Sequence, residues 1–113
     1  MSLRELFSKP TVIEVSPEQT KMKQQAGAII LDVRERYQWC DGHIPGAINI
    51  PLGSLAKRLQ ELDASQEIIA VCHRGQRSIT AAVILLRAGF TQVSSMAGGM
   101  DVWMDHDYPV RAQ

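Results

Sequence analysis

With 113 residues, 45% of them apolar, the chain has the length for one compact domain, with residues about 11–106 as its folded core and the whole of 1–113 as its extent. The 12 basic and 12 acidic residues cancel, so no overall field draws the protein to nucleic acid or to an anionic membrane surface, and any pull on anions has to be local. No apolar run approaches a membrane span, and the opening Met1–Phe7 has no signal-peptide core, which makes cytoplasmic residence the expectation.

In chain order, Thr11–Val15 reads as a short strand. Ser16-Pro17-Glu18-Gln19 then carries a helix start: Ser16 as cap, Pro17 at the first helical position and Gln19 closing a capping box, with the helix running to about Gln25 before Gly27. Ala28–Val33 is a continuous apolar run, the mark of a strand covered on both faces, as in a parallel sheet. Ala47–Ile50 offers another short strand. Leu52, Leu55, Leu59 and Leu62 fall at helical spacing and predict one amphipathic helix over Leu52–Leu62. Ile68–Cys72 is the next buried strand, and Ile79–Ala88 is apolar on nearly every side except Thr80 and Arg87, a helix largely buried and stopped by Gly89. Thr91–Met96 is the last strand, followed by Gly98-Gly99 and a short closing helix. This alternation predicts a three-layer α/β domain.

In open parallel sheets ligands sit at the carboxyl ends of the strands. Cys72 lies at such an end and opens the segment Cys72-His73-Arg74-Gly75-Gln76-Arg77 ahead of a helix. A short loop leading into a helix turns backbone N–H groups inward and adds the positive end of the helix dipole to two nearby guanidinium groups. Making a thiolate the major form at neutral pH takes about 2.7 kcal/mol of differential stabilisation. A helix terminus offers about 0.3–1 kcal/mol and charge-assisted hydrogen bonds about 1.5–3 kcal/mol each, so the loop has the means to hold a reactive anion. The competing reading is an inert core cysteine at a strand end, and the flanking Gly and Arg residues argue against it. Asp32, Arg34 and Glu35 reach the same rim from a second strand and Gly98-Gly99 from a third.

Taken together, these segments resemble a known family. Leu31-Asp32-Val33-Arg34-Glu35, Gly42-His43-Ile44-Pro45-Gly46-Ala47-Ile48-Asn49-Ile50-Pro51-Leu52, the Cys72 loop, and Ala97-Gly98-Gly99-Met100 with Trp103 match, in order, the motifs of a single-domain rhodanese, a thiosulfate-type sulfurtransferase. The resemblance implies a mainly parallel five-stranded sheet with helices on both faces. It implies that Cys72 takes the outer sulfur of a small anionic donor such as thiosulfate as a persulfide and gives it to cyanide or a thiol, with no cofactor. His73, Arg74, Gly75, Gln76, Arg77 and Ser78 would then bind substrate, and a sulfur-relay protein is a candidate partner. The same resemblance admits a persulfide carrier with little turnover of free thiosulfate.

Phosphatases and arsenate reductases of the same fold carry one more residue between Cys and Arg. Here Arg77 follows Cys72 by five positions, a tighter cradle suited to one added sulfur, and the loop holds no general acid for a leaving alkoxide. Asp32 and Arg34 read as supporting residues, an acid and a base at a strand end that pair with each other or with loop N–H groups. His43 reads as structural. A zinc site from Cys40, His43, Cys72 and His73 has no closed-site spacing, and ligation would silence the nucleophile. With no CxxC pair, a disulfide framework is not expected, although Cys40 is a candidate resolving thiol for Cys72.

Overall fold

The two continuous apolar runs become the inner strands of a sheet. In the computed structural model, which describes residues 8–112, they are β2 (Ile29–Asp32) and β4 (Ile68–Val71). The Met1–Phe7 opening, read above for a signal-peptide core, lies outside the described residues. With β1 (Ile13–Val15), β3 (Ile48–Asn49) and β5 (Val93–Met96) they form a five-stranded sheet in the order β1-β5-β4-β2-β3, parallel throughout. β4 is central and buried on both faces, which is why it shows no polar alternation.

The helices are α1 (Pro17–Gln25), α2 (Arg36–Asp41), α3 (Leu52–Leu55), α4 (Arg77–Arg87) and α5 (Gly99–Asp105). On one face of the sheet Leu31, Val33, Ile68 and Ala70 pack with Leu55 of α3 and with Ala81, Ala82 and Leu85 of α4. On the other, Ile30, Ile69, Val71 and Met96 pack with Ile44 and with Met100 and Trp103 of α5. The three expected layers are present. Each fully buried Ile or Leu in them contributes about 1.5–3 kcal/mol, so sheet and helices are held mainly by this double-sided burial. The expected cap of α1 is also in place: the Gln19 N–H donates to Ser16 Oγ at 3.0 Å, and the Ser16 N–H donates to Gln19 Oε1 at 2.8 Å.

Two segments differ from the sequence reading. The single helix predicted over Leu52–Leu62 is broken: α3 ends at Leu55, and a separate 3-10 turn covers Leu59–Glu61. Gly53 and Ser54 are weak helix formers, and the chain tightens into i→i−3 bonds, with Lys57 N–H donating to Ser54 O (3.2 Å) and Arg58 N–H to Leu55 O (3.0 Å). Leu55 and Leu62 still reach the core, so two short turns satisfy the apolar spacing that a continuous helix would. Helix α2, for its part, carries no buried residue and hence no apolar stripe to announce it.

Candidate functional site

Register brings the ends of β2 and β4 level, with Asp32 opposite Val71, so the chain leaves both strands on one rim. Cys72, the first residue past β4, is 1% exposed. Its Sγ accepts the Gly75 N–H at 3.0 Å, and the thiol donates to Ser78 Oγ at 3.3 Å. Ser78 Oγ is in turn 2.7 Å from Ser95 Oγ on the neighbouring β5, and both serines are fully buried. The sulfur therefore rests on a backbone amide and on a pair of linked hydroxyls.

Glycines make this closeness possible. Gly75 has φ +94°, and a Cβ there would lie 2.8 Å from the Gly98 backbone nitrogen. A Cβ on Gly99 would lie 2.4 Å from the Cys72 carbonyl oxygen. The start of α5 presses on the loop at that point: Met100 N–H donates to Cys72 O at 2.8 Å and Asp101 N–H to His73 O at 3.1 Å. The Gly98-Gly99 segment and the Cys72 loop thus meet as the topology required.

A cavity of about 230 Å³ opens over the sulfur, lined by Cys72, His73, Arg74, Gln76 and Arg77. Its cations are accessible. The Arg74 side chain is 76% exposed, and Arg77, at the first position of α4, is exposed and has no ion-pair partner among the described residues. Among those residues the N–H groups of Arg74, Gln76, Arg77 and Ser78 also have no protein acceptor. An anion over Cys72 would meet these N–H groups, a helix N-terminus and two guanidinium groups, with Gly75 and Ser78 beneath it holding the sulfur.

Two residues at this site had no signal in the sequence motifs. Ser95 sits in the fully buried β5, where a serine in place of an apolar residue was the available clue. Asp101 of α5 lies with Oδ1 2.7 Å from His73 Nε2 and with Oδ2 3.6 Å from Arg74 Nε.

Asp32 and Arg34 stand apart from the cavity lining. Arg34 donates through Nε to Asp32 Oδ1 (3.0 Å) and through Nη2 to Asp32 Oδ2 (2.8 Å) and Gly42 O (2.7 Å), and the side chains are 7% and 1% exposed. Asn49 Nδ2 fastens the same corner to Asp32 O (3.1 Å) and Arg34 O (2.9 Å). His43 is 3% exposed, its ring is stacked on Trp39 at 3.8 Å, and its backbone pairs with Arg111. Cys40 and Cys72 are both free thiols. Among the described residues no three His, Cys, Asp or Glu side chains gather as a metal-holding group.

A parallel sheet that presents a cysteine loop from its central strand, closed by a Gly-Gly turn, defines a class. The family model of the rhodanese-like domain matches residues 16–106, and the chain belongs to that family. Within it, the chain is 35% identical over 95 residues to thiosulfate sulfurtransferase GlpE of Stutzerimonas stutzeri, covering 84% of this chain and 86% of that protein. It is 40% identical over 95 residues to a putative sulfur carrier protein, YrkF, of Bacillus subtilis, covering 82% of this chain and 51% of that one, about half its length. Among solved structures, a rhodanese-related protein from Thermoplasma volcanium superposes with a TM-score of 0.83 at 27% identity, over 89% of this chain and 99% of that one. These relatives place the chain with the rhodanese-domain sulfurtransferases.

Proposed function

We propose that the protein moves sulfane sulfur from thiosulfate or a similar small anionic donor to a thiophilic acceptor through a persulfide on Cys72. The observation that carries this is the Cys72 sulfur seated on the Gly75 N–H at 3.0 Å beneath an open cavity lined by Arg74 and Arg77. The Cys72 thiolate attacks the outer sulfur of thiosulfate; the donor's S–S bond breaks and sulfite leaves with the bonding electrons. Arg77, with Arg74 beside it, holds the departing oxygens by charge-assisted hydrogen bonds. The new terminal sulfur carries the negative charge and lies among the open N–H groups of the loop. Cyanide, or a thiolate in the cell, then attacks that terminal sulfur, giving thiocyanate or a new persulfide and returning the Cys72 thiolate. His73 and Gln76 border the donor, Gly75 and Ser78 hold Sγ, and Asp32 and Arg34 brace the adjoining strand end.

Similarity to the putative sulfur carrier favours a second reading, in which a protein persulfide loads Cys72 and thiosulfate turns over poorly. Intact mass spectrometry separates the cases. After thiosulfate the protein gains the mass of one sulfur atom, cyanide removes it as thiocyanate, and Cys72→Ser shows neither while keeping its fold by circular dichroism. No sulfur from thiosulfate, but loading from a cysteine desulfurase, selects the carrier; no loading from either source rejects both.

A further inference from the structure

We propose that Asp101 determines donor specificity: its carboxylate, set against His73 and Arg74 of the cavity lining, disfavours dianions and shifts preference toward singly charged sulfane donors such as thiosulfonates and persulfide anions. The inference rests on the sulfurtransferase reading of Cys72 and names the donor class for that site.

The cavity mouth holds two guanidinium groups, and Asp101 engages one of them. Its Oδ2 lies 3.6 Å from Arg74 Nε and its Oδ1 2.7 Å from His73 Nε2, and both partners line the cavity with Cys72. The carboxylate is placed from its own backbone as well, since the Asp101 N–H donates to the His73 carbonyl at 3.1 Å. The backbone that carries it is therefore tied to the loop. The contacts are half-exposed or more, with side chains 52%, 49% and 76% exposed for His73, Asp101 and Arg74, and ion pairs so exposed add little to folding. Their consequence falls on an incoming anion. Arg77 is left as the cation with no ion-pair partner among the described residues, whereas a donor that reaches Arg74 meets a guanidinium with a carboxylate already 3.6 Å away.

Coulomb repulsion scales with the donor's charge, so removing the carboxylate has a characteristic signature. The gain for a dianion is about the square of the gain for a monoanion, and salt erases both, because the Debye length is about 8 Å at physiological ionic strength. Purified Asp101→Asn, compared with wild type at low salt with cyanide as acceptor, is expected to raise kcat/KM about five-fold for thiosulfate and about two-fold for benzenethiosulfonate, through KM. Asp101→Glu stays near wild type, and added salt brings Asn and Asp forms together. Equal gains for the two donors, a loss for either, or a change insensitive to salt would overturn the role of Asp101. Wild type that acquires no cyanide-labile sulfur from either donor would instead remove the sulfurtransferase reading beneath it, and the two failures are thereby distinct.

Discussion

The rims of β2 and β4 carry similar strings of residues and use them differently. At the end of β2, Arg34 spends its side-chain donors inside the protein, on Asp32 and on the Gly42 carbonyl, and is nearly buried. At the end of β4, Arg74 touches a carboxylate only at 3.6 Å, and Arg77 has no ion-pair partner among the described residues. A guanidinium at a strand end is thus structural or ligand-seeking according to whether its donors are already satisfied. The backbone follows the same division: past β2 the N–H groups of Val33, Arg34 and Glu35 donate to Val71 O, Asp32 Oδ1 and Gln38 Oε1, whereas past β4 four loop N–H groups stay open among the described residues.

Substitution at each rim tests the contrast, with the larger effect at β2. Arg34→Met keeps the aliphatic stem and leaves the Asp32 carboxylate buried without its partner, an arrangement that costs about 3–5 kcal/mol. Urea unfolding is expected to show that loss; a cost under about 1 kcal/mol would mean that the corner does not depend on the pair. Arg77→Gln should do the reverse. Its unfolding free energy stays within about 0.5 kcal/mol of wild type, as for an exposed side chain, while kcat/KM for thiosulfate falls about 10–100-fold, the loss of one charge-assisted contact. A stability loss without a rate loss would move Arg77 to the structural side of the comparison.

What the sequence revealed followed from local pattern. Ile29–Asp32 and Ile68–Val71 are legible because strands buried on both faces have to be apolar without interruption, and α1 because Ser16, Pro17 and Gln19 write its cap into adjacent positions. The Leu52–Leu62 segment misled because apolar spacing records which side chains are buried, and two short turns bury Leu55 and Leu62 as well as one helix would. Helix α2 left no trace because none of its residues is buried. At the site, the Cys72 loop and Gly98-Gly99 were readable as contiguous motifs. The Asp101 pairing with His73 and the Ser95 pairing with Ser78 join distant parts of the chain, so only the folded sheet brings them together.

A third carboxylate separates satisfaction from burial, the two properties that coincide at Asp32. Asp63 Oδ1 accepts the Ser65 hydroxyl at 2.6 Å and the Ser65 N–H at 2.9 Å, yet it is fully solvated. The Ser65 hydroxyl first, and its N–H second, hold the Asp63 carboxyl below its ordinary value of 3.8. A carboxyl lowered on folding stabilises the protein above its unfolded value, and that contribution is lost as pH falls through the lower, folded one. Asp63→Asn keeps a side-chain oxygen for Ser65 and removes only the charge. Its thermal midpoint is expected to lie slightly below that of wild type at neutral pH, by far less than Arg34→Met, and the gap should close as pH falls below 3.8. A gap that persists or widens in acid would show that the Asp63 charge is not its source, and a gap as large as that of Arg34→Met would show that hydrogen bonding without burial suffices to make a rim structural.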